Sequence, residues 1–210
     1  MTTEKFGAGV AANWSDEAYA DARAYLSHRA ELVRTLGPPL VSGDRVLDLA
    51  CGDGGLGAFL MAAGMAYLGV DRSEAMVLAA SARLGTKAEV VLADLNQYRP
   101  PTRVAATTIF RALYYVTDRP AFFSRVGEFT DKKLVFDLNP RRFDLDAIRA
   151  ELGAAGFSRL ELHPFFVPQT VALPAPLLRA LTAAERLRPV AAALLRFRFS
   201  YVCAASRNER

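Results

Sequence analysis

From residue 45 onward, short apolar runs alternate with stretches of helical periodicity, and this alternation limits the choice of fold more than any other feature of the sequence. Such a rhythm is typical of a parallel β-sheet whose strands are connected by helices. Strands are predicted at 45–49, 65–70, 89–93, 104–110, 133–138, 159–166 and 197–204. Helices are predicted at 55–63, 73–83, 119–128, 144–154, 176–187 and 190–196. The chain is therefore expected to form an α/β fold.

The N-terminal part and the composition favour a single folded unit. The 210 residues, 52% hydrophobic and 23% charged, suffice for one buried core and are too few for two domains of ordinary size. Ser15 is predicted to cap a long helix that ends before Gly37. The first residues lack a cationic stretch followed by an apolar one, so neither a secretory nor a transit signal is expected, and the protein is expected to be cytoplasmic.

A glycine-rich loop directly follows the first predicted strand. The segment reads Val46-Leu47-Asp48-Leu49-Ala50-Cys51-Gly52-Asp53-Gly54-Gly55-Leu56-Gly57. Glycine at such a turn permits positive φ and lets a ligand approach the backbone closely. Alone the pattern is weak, because Gly52, Gly54 and Gly57 also satisfy the dinucleotide-binding expression G-x-G-x-x-G.

Three successive predicted strands end in carboxylates, namely Asp48, Asp71 and Asp94. In parallel strands these ends meet at one edge of the sheet, where open α/β sheets bind ligands. Asp71 stands 19 residues beyond Gly52, where a carboxylate can accept hydrogen bonds from both hydroxyls of a ribose. Asp94 is placed to accept from the exocyclic amine of an adenine. Turn formation or capping explains any one aspartate alone, but together they predict a nucleoside site.

The segment Asp48–Gly57 resembles the first motif of class I S-adenosylmethionine-dependent methyltransferases, whose usual form is Asp-x-Gly-x-Gly-x-Gly. The resemblance covers about residues 45–140 and the terminal strand pair. It implies a three-layer, Rossmann-like sheet of seven mostly parallel strands, with an antiparallel last strand and helices on both faces. It also implies one methyltransferase domain with four parts: an N-terminal helical lid at 1–40, a cofactor-binding core at 41–166, a helical insertion or lid at 167–196 and the final strand at 197–210.

The resemblance implies S-adenosylmethionine as the cofactor. Its contacts are expected at the loop and at the ends of the second, third and fourth strands: Asp48, Ala50, Gly52, Gly54, Asp71, Arg72, Asp94, Leu95 and Phe110. Ala50 replaces the first glycine of the motif, which a methyl group tolerates if φ there is negative. Cys51 and Cys203 lie far apart without a further ligand at metal spacing, so both are expected to be reduced thiols and no metal is expected.

Asp48 separates this interpretation from a nicotinamide-dependent one, because dinucleotide fingerprints normally have an apolar residue at that position. A carboxylate there suits the ammonium group of a methionine and would repel a pyrophosphate. Two alternatives stay open, an NAD(P)-dependent oxidoreductase of the Rossmann type and a non-catalytic cofactor-binding protein.

Methyl transfer from a sulfonium is an in-line displacement, so the main tasks of the protein are positioning and exclusion of water. Candidate catalytic residues for acceptors that need a base or a hydroxyl are His28, Tyr115 and His163. Candidate substrate contacts are Tyr19, Arg111, Tyr114 and Asn139. Core packing explains lone histidines and aromatic residues equally well.

The basic surplus lies near the C-terminus: the net charge is +4, and residues 169–210 carry seven arginines against two glutamates. Arginines interrupt every apolar run between 165 and 199 well short of the ~20 residues of a membrane span. This segment suits a bulky apolar small-molecule acceptor with an acidic group, or peripheral contact with an anionic membrane surface. Packing on the sheet explains most of it equally well. Nucleic acid is disfavoured as a partner, because no recognition module accompanies the basic charge.

Overall fold

The computed structural model describes residues 11–139, 142–187, 189 and 200–207. Its strands are β1 Arg45–Leu49, β2 Ala66–Asp71, β3 Glu89–Leu92, β4 Val104–Ile109, β5 Thr130–Leu138, β6 Arg159–Phe165 and β7 Ser200–Ser206. They form one seven-stranded sheet in the order β3-β2-β1-β4-β5-β7-β6. The first five strands pair in parallel, and β7 runs antiparallel to both of its neighbours, β5 and β6. The predicted mostly parallel sheet with an antiparallel last strand is confirmed.

The helices are α1 Trp14–Ala18, α2 Ala22–Thr35, α3 Gly55–Ala62, α4 Glu74–Leu84, α5 Arg119–Phe129, α6 Leu145–Ala154 and α7 Ala175–Ala184. The predicted bounds of α3 to α6 are confirmed to within one residue. The helix predicted at 176–187 ends three residues early. The helix predicted at 190–196 and the first three residues of the predicted last strand lie outside the described residues. None of the helices in the described part of the chain has the length and apolar character needed to cross a bilayer.

Successive side chains of each strand point to opposite faces of the sheet, and the apolar ones form two separate cores, one on each face. Val46, Tyr67 and Val135 point to the face covered by α2 and α3. Leu47 and Phe136 point to the opposite face, which α5 and α6 cover. The chain therefore forms three layers, as predicted.

The start of β5 differs from the prediction, since the strand begins at Thr130 rather than at residue 133. The added residues include Asp131 and Lys132, whose charges do not resemble a buried strand. Lys133 is fully buried, and its ammonium group donates to the carbonyls of Arg34 (3.2 Å) and Leu36 (2.6 Å) at the end of α2. A buried lysine is tolerated here because its ammonium group donates to carbonyl groups at the helix end, where the intrahelical N–H partners run out; that of Arg34 also accepts from the backbone N–H of Leu40 at 3.0 Å.

The prediction of one long helix capped by Ser15 is wrong. The chain breaks between α1 and α2, and α2 is capped by Asp21, whose side chain accepts from the backbone N–H of Ala24 at 2.9 Å. Ser15 lies inside α1 and is buried. Its hydroxyl donates to the carboxylate of Asp53 at 2.5 Å, so a contact distant in sequence takes the place of the expected local cap.

Candidate cofactor and active site

A cavity of about 830 Å³ opens at the carboxyl ends of β1 to β4. Ten of the residues predicted for the site line it: Ala50, Gly52, Asp71, Arg72, Asp94, Leu95, Phe110, Arg111, Tyr114 and Tyr115. Eight further lining residues were not predicted: Trp14, Ser73, Glu74, Met76, Leu92, Ala93, Asn96 and Ala112. The volume falls within the range of about 300–1,000 Å³ that is usual for small-molecule sites.

The glycine-rich loop is held in left-handed backbone conformations. Gly52 and Gly54 have φ of 58° and 74°, which glycine adopts without steric cost. Ala50 has φ of 61°, so the condition under which its methyl group was expected to be tolerated is not met. A residue with a Cβ is strained in this region, and the loop therefore retains alanine at an energetic cost.

Asp71 connects the end of β2 to the loop. Its Oδ2 accepts from the backbone N–H of Gly52 at 2.9 Å, and its Oδ1 accepts from the backbone N–H of Ser73 at 3.0 Å. A carboxylate has about four lone-pair sites, so both oxygens can accept a further hydrogen bond. Asp71 thus fixes the loop and still presents acceptors to the cavity.

Asp94 is exposed at the end of β3, beside Asn96. Its Oδ1 accepts from the backbone N–H of Asn96 at 2.7 Å and from the Asn96 side-chain amide at 3.0 Å. The same amide donates to the carbonyl of Tyr115 at 3.1 Å. Asn96 therefore ties the end of β3 to the segment after β4, and it leaves Oδ2 of Asp94 without a hydrogen bond to the described residues.

Asp48 does not line the cavity, although it was predicted to contact the cofactor. It is 3% exposed beneath the loop, and its carboxylate accepts from the hydroxyls of Tyr67 (2.8 Å) and Thr108 (2.6 Å). Burial raises the pKa of Asp48 to about 6, against the opposing effect of these hydrogen bonds and of the Arg29 charge. Its direct partners are protein hydroxyl groups.

The exit of β4 places Phe110 and Arg111 on the cavity wall. The buried guanidinium of Arg29 lies 4.3 Å from the centre of the Phe110 ring. Arg111 has φ of 52°, and its backbone N–H donates to Oδ1 of Asp137 at 2.8 Å. This wall is therefore fixed by contacts that reach it from α2 and from β5.

Two tyrosines complete the same wall. The rings of Tyr114 and Tyr115 are 4.3 Å apart between centres, and the guanidinium of Arg72 lies 5.0 Å from the centre of the Tyr115 ring. Burial and a hydrogen bond with Tyr115 raise the pKa of Tyr114 to about 12. The Tyr114 hydroxyl therefore stays protonated at neutral pH.

Sequence reasoning missed the attachment of α1 to the loop. Asp53 is 1% exposed and accepts hydrogen bonds from the backbone N–H of Ser15 (3.0 Å), from its hydroxyl and from Nη2 of Arg83 (2.8 Å). Trp14 consequently lies over Gly52, where a Cβ would be 3.6 Å from the indole. The only local sign is an aspartate between two glycines, which is equally typical of a plain turn.

Both histidines lie away from the cavity, around Glu185. Nε2 of His28 and Nε2 of His163 lie 2.6 and 3.3 Å from Oε2 of Glu185, whose Oε1 accepts from the backbone N–H of Phe166 at 2.6 Å. Burial opposes ionisation of Glu185, but the hydrogen bonds from both histidines outweigh it and lower its pKa. The structure therefore brings the two histidines together as partners of a buried carboxylate, outside the cavity.

The remaining predicted residues also lie off the cavity lining. Tyr19 is 3% exposed and stacks on Tyr25 with 4.2 Å between ring centres. Gly54 is buried at the start of α3, and Asn139 is exposed just after β5. Across the described residues no group of three histidine, cysteine, aspartate or glutamate side chains could hold a metal ion. Cys51 and Cys203 are buried free thiols.

Comparison with known proteins gives a consistent result. Residues 46–132 match a family model described as a methyltransferase domain. Among curated proteins, none matches the chain. The family match decides against the nicotinamide-dependent alternative.

Solved structures share the fold at low sequence identity. A magnesium protoporphyrin IX methyltransferase from Synechocystis PCC 6803, solved with bound SAM, is 20% identical, with 94% of this chain and 79% of that chain covered and a TM-score of 0.57. Phosphoethanolamine N-methyltransferase 2 from Haemonchus contortus is 16% identical, with 99% of this chain and 59% of that chain covered and a TM-score of 0.65. A TehB-like SAM-dependent methyltransferase from Corynebacterium glutamicum is 17% identical, with 95% of this chain and 97% of that chain covered and a TM-score of 0.62. Residues 46–132 thus match a methyltransferase domain, and the chain has the Rossmann-like fold of these S-adenosylmethionine-dependent methyltransferases.

Proposed function

We propose that this methyltransferase transfers a methyl group to an oxygen, nitrogen or carbon atom of a small-molecule acceptor in the cavity at the carboxyl ends of β1 to β4. The observation that carries the proposal is the convergence of Gly52, Asp71 and Asp94 on one cavity that continues to Arg111 and Tyr114. This arrangement provides a nucleoside end and, one strand further along, a wall for an acceptor.

The residues present fit the cofactor. Asp71 retains acceptor capacity for ribose hydroxyls while its hydrogen bond to Gly52 holds the loop. The unused oxygen of Asp94 is available to an adenine amine, and the adjacent backbone of Leu95 completes that end. Gly52 and Ala50 present backbone groups to the methionine part, because neither has a side chain longer than a methyl group. Asp48 supports the loop from below and contributes its charge through the core.

When bound, S-adenosylmethionine supplies an electrophilic methyl group on a sulfonium. The protein contributes a rigid wall and a covered site, which are the main requirements of an in-line displacement. Phe110 is fixed under the Arg29 guanidinium, and Trp14 covers the loop from the α1 side. Catalysis would therefore rest mainly on positioning.

Proton removal is a secondary task for this site. Tyr114 is protonated at neutral pH, so its hydroxyl can donate a hydrogen bond to an acceptor but is a poor base. Tyr115 lines the cavity and stays a candidate for orienting the acceptor. For His28 and His163 we propose a structural role through Glu185, because neither lies on the cavity wall.

The acceptor is proposed to be a compact molecule with apolar surface. The cavity suits small molecules in size. The aromatic rings of Trp14, Phe110 and Tyr114 line the cavity and support an acceptor with apolar surface. Val171, Leu177 and Leu187 are each about half exposed on or beside α7, away from the cavity lining, and support peripheral contact with an anionic membrane surface. Methyltransferases with the same fold include proteins named for magnesium protoporphyrin and for phosphoethanolamine, both small molecules.

Calorimetric titration and a turnover assay test this proposal. S-adenosylmethionine and S-adenosylhomocysteine should bind with measurable heat, NAD should not, and an acceptor panel should yield S-adenosylhomocysteine with at least one compound. Asp94→Asn should weaken the binding of both adenosyl ligands, whereas Asp131→Asn, at the opposite edge of the sheet, should not. Binding without turnover over a broad panel would favour a non-catalytic binding protein, and preferential NAD binding would refute the proposal.

A further inference from the structure

Arg111 carries a cationic group that the described protein does not neutralise. Nη1 of its guanidinium is buried and has no hydrogen-bond partner among the described residues, and none of the ion pairs found there includes Arg111. A buried guanidinium donor without a partner is costly, and proteins normally pair it with a carboxylate or a phosphate. Because Arg111 lines the cavity, a ligand can supply the missing partner.

The carboxylate that contacts the backbone of Arg111 is engaged elsewhere. Oδ1 of Asp137 accepts from the backbone N–H of Arg111 itself, at 2.8 Å, and Oδ2 lies 4.0 Å from Nη2 of Arg29. Asp137 therefore fixes the main chain of Arg111 and faces a second cation. Among the described residues, the Arg111 side chain lines the cavity without a carboxylate in an ion pair with it.

The guanidinium is also held in place by aromatic rings. Its central carbon lies 5.5 Å from the centre of the Trp14 ring and 5.6 Å from that of Tyr19. Aromatic contact restrains the planar group and leaves its N–H edge available for bidentate hydrogen bonds. The backbone at Arg111 is in the left-handed region, which non-glycine residues occupy rarely and which recurs at ligand-binding sites.

We propose that Arg111 binds an oxyanion at the methyl-transfer end of the cavity. The inference rests on the proposed function and adds a ligand class to it: a carboxylate or phosphate, carried either by the acceptor or by the methionine part of the cofactor. The acidic residues Asp71, Glu74 and Asp94 line the nucleoside end of the same cavity. Arg72 offsets one of these three negative charges, so that end keeps a net negative charge, and an anionic group is repelled from it and attracted to the Arg111 end.

The test compares wild type with Arg111→Asn. Asparagine tolerates the left-handed conformation and removes the charge, so the variant is expected to fold. Arg111→Gly, which relieves the strained φ, repeats the test if Arg111→Asn is not folded by circular dichroism. Arg103→Asn is the matched control, because Arg103 lies just before β4, at the opposite edge of the sheet, and is half exposed.

Four probes distinguish the sources of the oxyanion: the nucleosides S-adenosylhomocysteine and 5′-methylthioadenosine, and the anions phosphate and benzoate. If the cofactor supplies it, Arg111→Asn weakens the binding of S-adenosylhomocysteine about tenfold or more, and leaves 5′-methylthioadenosine, which lacks the carboxylate, unchanged. If the acceptor supplies it, both nucleosides bind the variant as they bind wild type. Phosphate or benzoate then raises the melting temperature of wild type saturated with S-adenosylhomocysteine and has no effect on the variant.

The inference is overturned if all four probes treat Arg111→Asn as wild type, or if Arg103→Asn loses anion binding to the same extent. Failure of the proposed function has a different signature. In that case neither nucleoside binds wild type. The melting temperatures of ligand-free wild type and Arg111→Asn, each with phosphate or benzoate, then still show whether Arg111 binds an anion.

Discussion

The burial of Asp48 under the glycine-rich loop leads to a prediction about stability and pH. Burial raises the pKa of this carboxyl group from 3.8 to about 6, although Thr108 and Tyr67 donate hydrogen bonds to it. At neutral pH the folded protein therefore contains an ionised carboxylate in a place that favours the neutral acid. Replacement by asparagine keeps the shape and removes the charge.

The expected gain follows from the pKa values. The rise from 3.8 to about 6 corresponds to ~3 kcal/mol at 1.36 kcal/mol per pKa unit. The folded state binds more protons than the unfolded state between these two values, so its stability falls as the pH rises through that range and is constant above it. An asparagine amide can accept from one hydroxyl and donate to the other. Asp48→Asn should therefore be more stable than wild type by about 1–3 kcal/mol at pH 8, and by much less near pH 4.

Urea unfolding at pH 4.5 and pH 8, without ligand, measures this difference. Thr108→Val is a useful companion because it removes a donor to the carboxylate, and it should lower stability more at pH 8 than at pH 4.5. An equal gain for Asp48→Asn at both pH values, or a loss at pH 8, would refute the reasoning. Calorimetry with S-adenosylhomocysteine at pH 8 adds a functional readout: weaker binding to Asp48→Asn indicates that the carboxylate acts on the ligand's ammonium through the core.

Four further substitutions test other parts of the structure. Ala50→Gly should raise the free energy of unfolding by about 0.5–1 kcal/mol by relieving the positive φ, whereas Gly52→Ala should lower it; urea unfolding of both variants decides. Asp71→Ala leaves the N–H groups of Gly52 and Ser73 without their acceptor, and should weaken S-adenosylhomocysteine binding by about 1–3 kcal/mol in calorimetry. Glu185→Gln should destabilise the protein by about 2 kcal/mol or more at pH 7 without changing that affinity. Because the pKa of Glu185 is lowered in the fold, its contribution is complete above the ordinary value of 4.5, and the difference should shrink as the pH falls below it.

The sheet and most helices could be predicted because their signals are local. An apolar run followed directly by a glycine turn marks β1, and Ser73, a predicted cap, accepts from the backbone N–H of Met76 at the start of α4. The start of β5 was missed because Asp131 and Lys132 carry charges that do not resemble a buried strand. The partners of the buried Lys133 ammonium group are carbonyls of residues 34 and 36, about a hundred positions away in sequence, so local sequence does not show them.

In the candidate site too, the residues that follow from local sequence could be predicted, and those that depend on distant partners could not. Asp71 and Asp94 could be placed on one edge because parallel strands bring their ends together. The roles of Asp53 and Glu185 could not be predicted, because their partners Ser15 in α1 and His28 in α2 lie 38 and 157 residues away in sequence. The positive φ of Ala50 was also missed, because sequence alone does not show when a turn keeps its conformation despite a Cβ.

The contact between Ser15 and Asp53 predicts that the covering helix and the cofactor loop open together. Gly55 allows the close approach, because a Cβ there would lie 2.3 Å from the Ser15 hydroxyl. Ser15→Ala removes a donor from a carboxylate that is 1% exposed, which should weaken the docking of α1 by about 1–3 kcal/mol. Since α1 packs at the edge of the core, global stability in urea should change less than local opening.

Hydrogen exchange of the amides in α1 measures that opening directly. Ser15→Ala should speed exchange there by about 5- to 150-fold, and saturating S-adenosylhomocysteine should restore part of the protection if Trp14 covers the bound ligand. Ser27→Ala is the matched control, because the hydroxyl of Ser27 donates only within α2, to the carbonyl of Ala24 at 3.3 Å. Unchanged exchange in Ser15→Ala would mean that the Ser15 amide and Trp14 alone hold α1 to the loop. A rise confined to α1 without any response to ligand would separate the covering helix from cofactor binding.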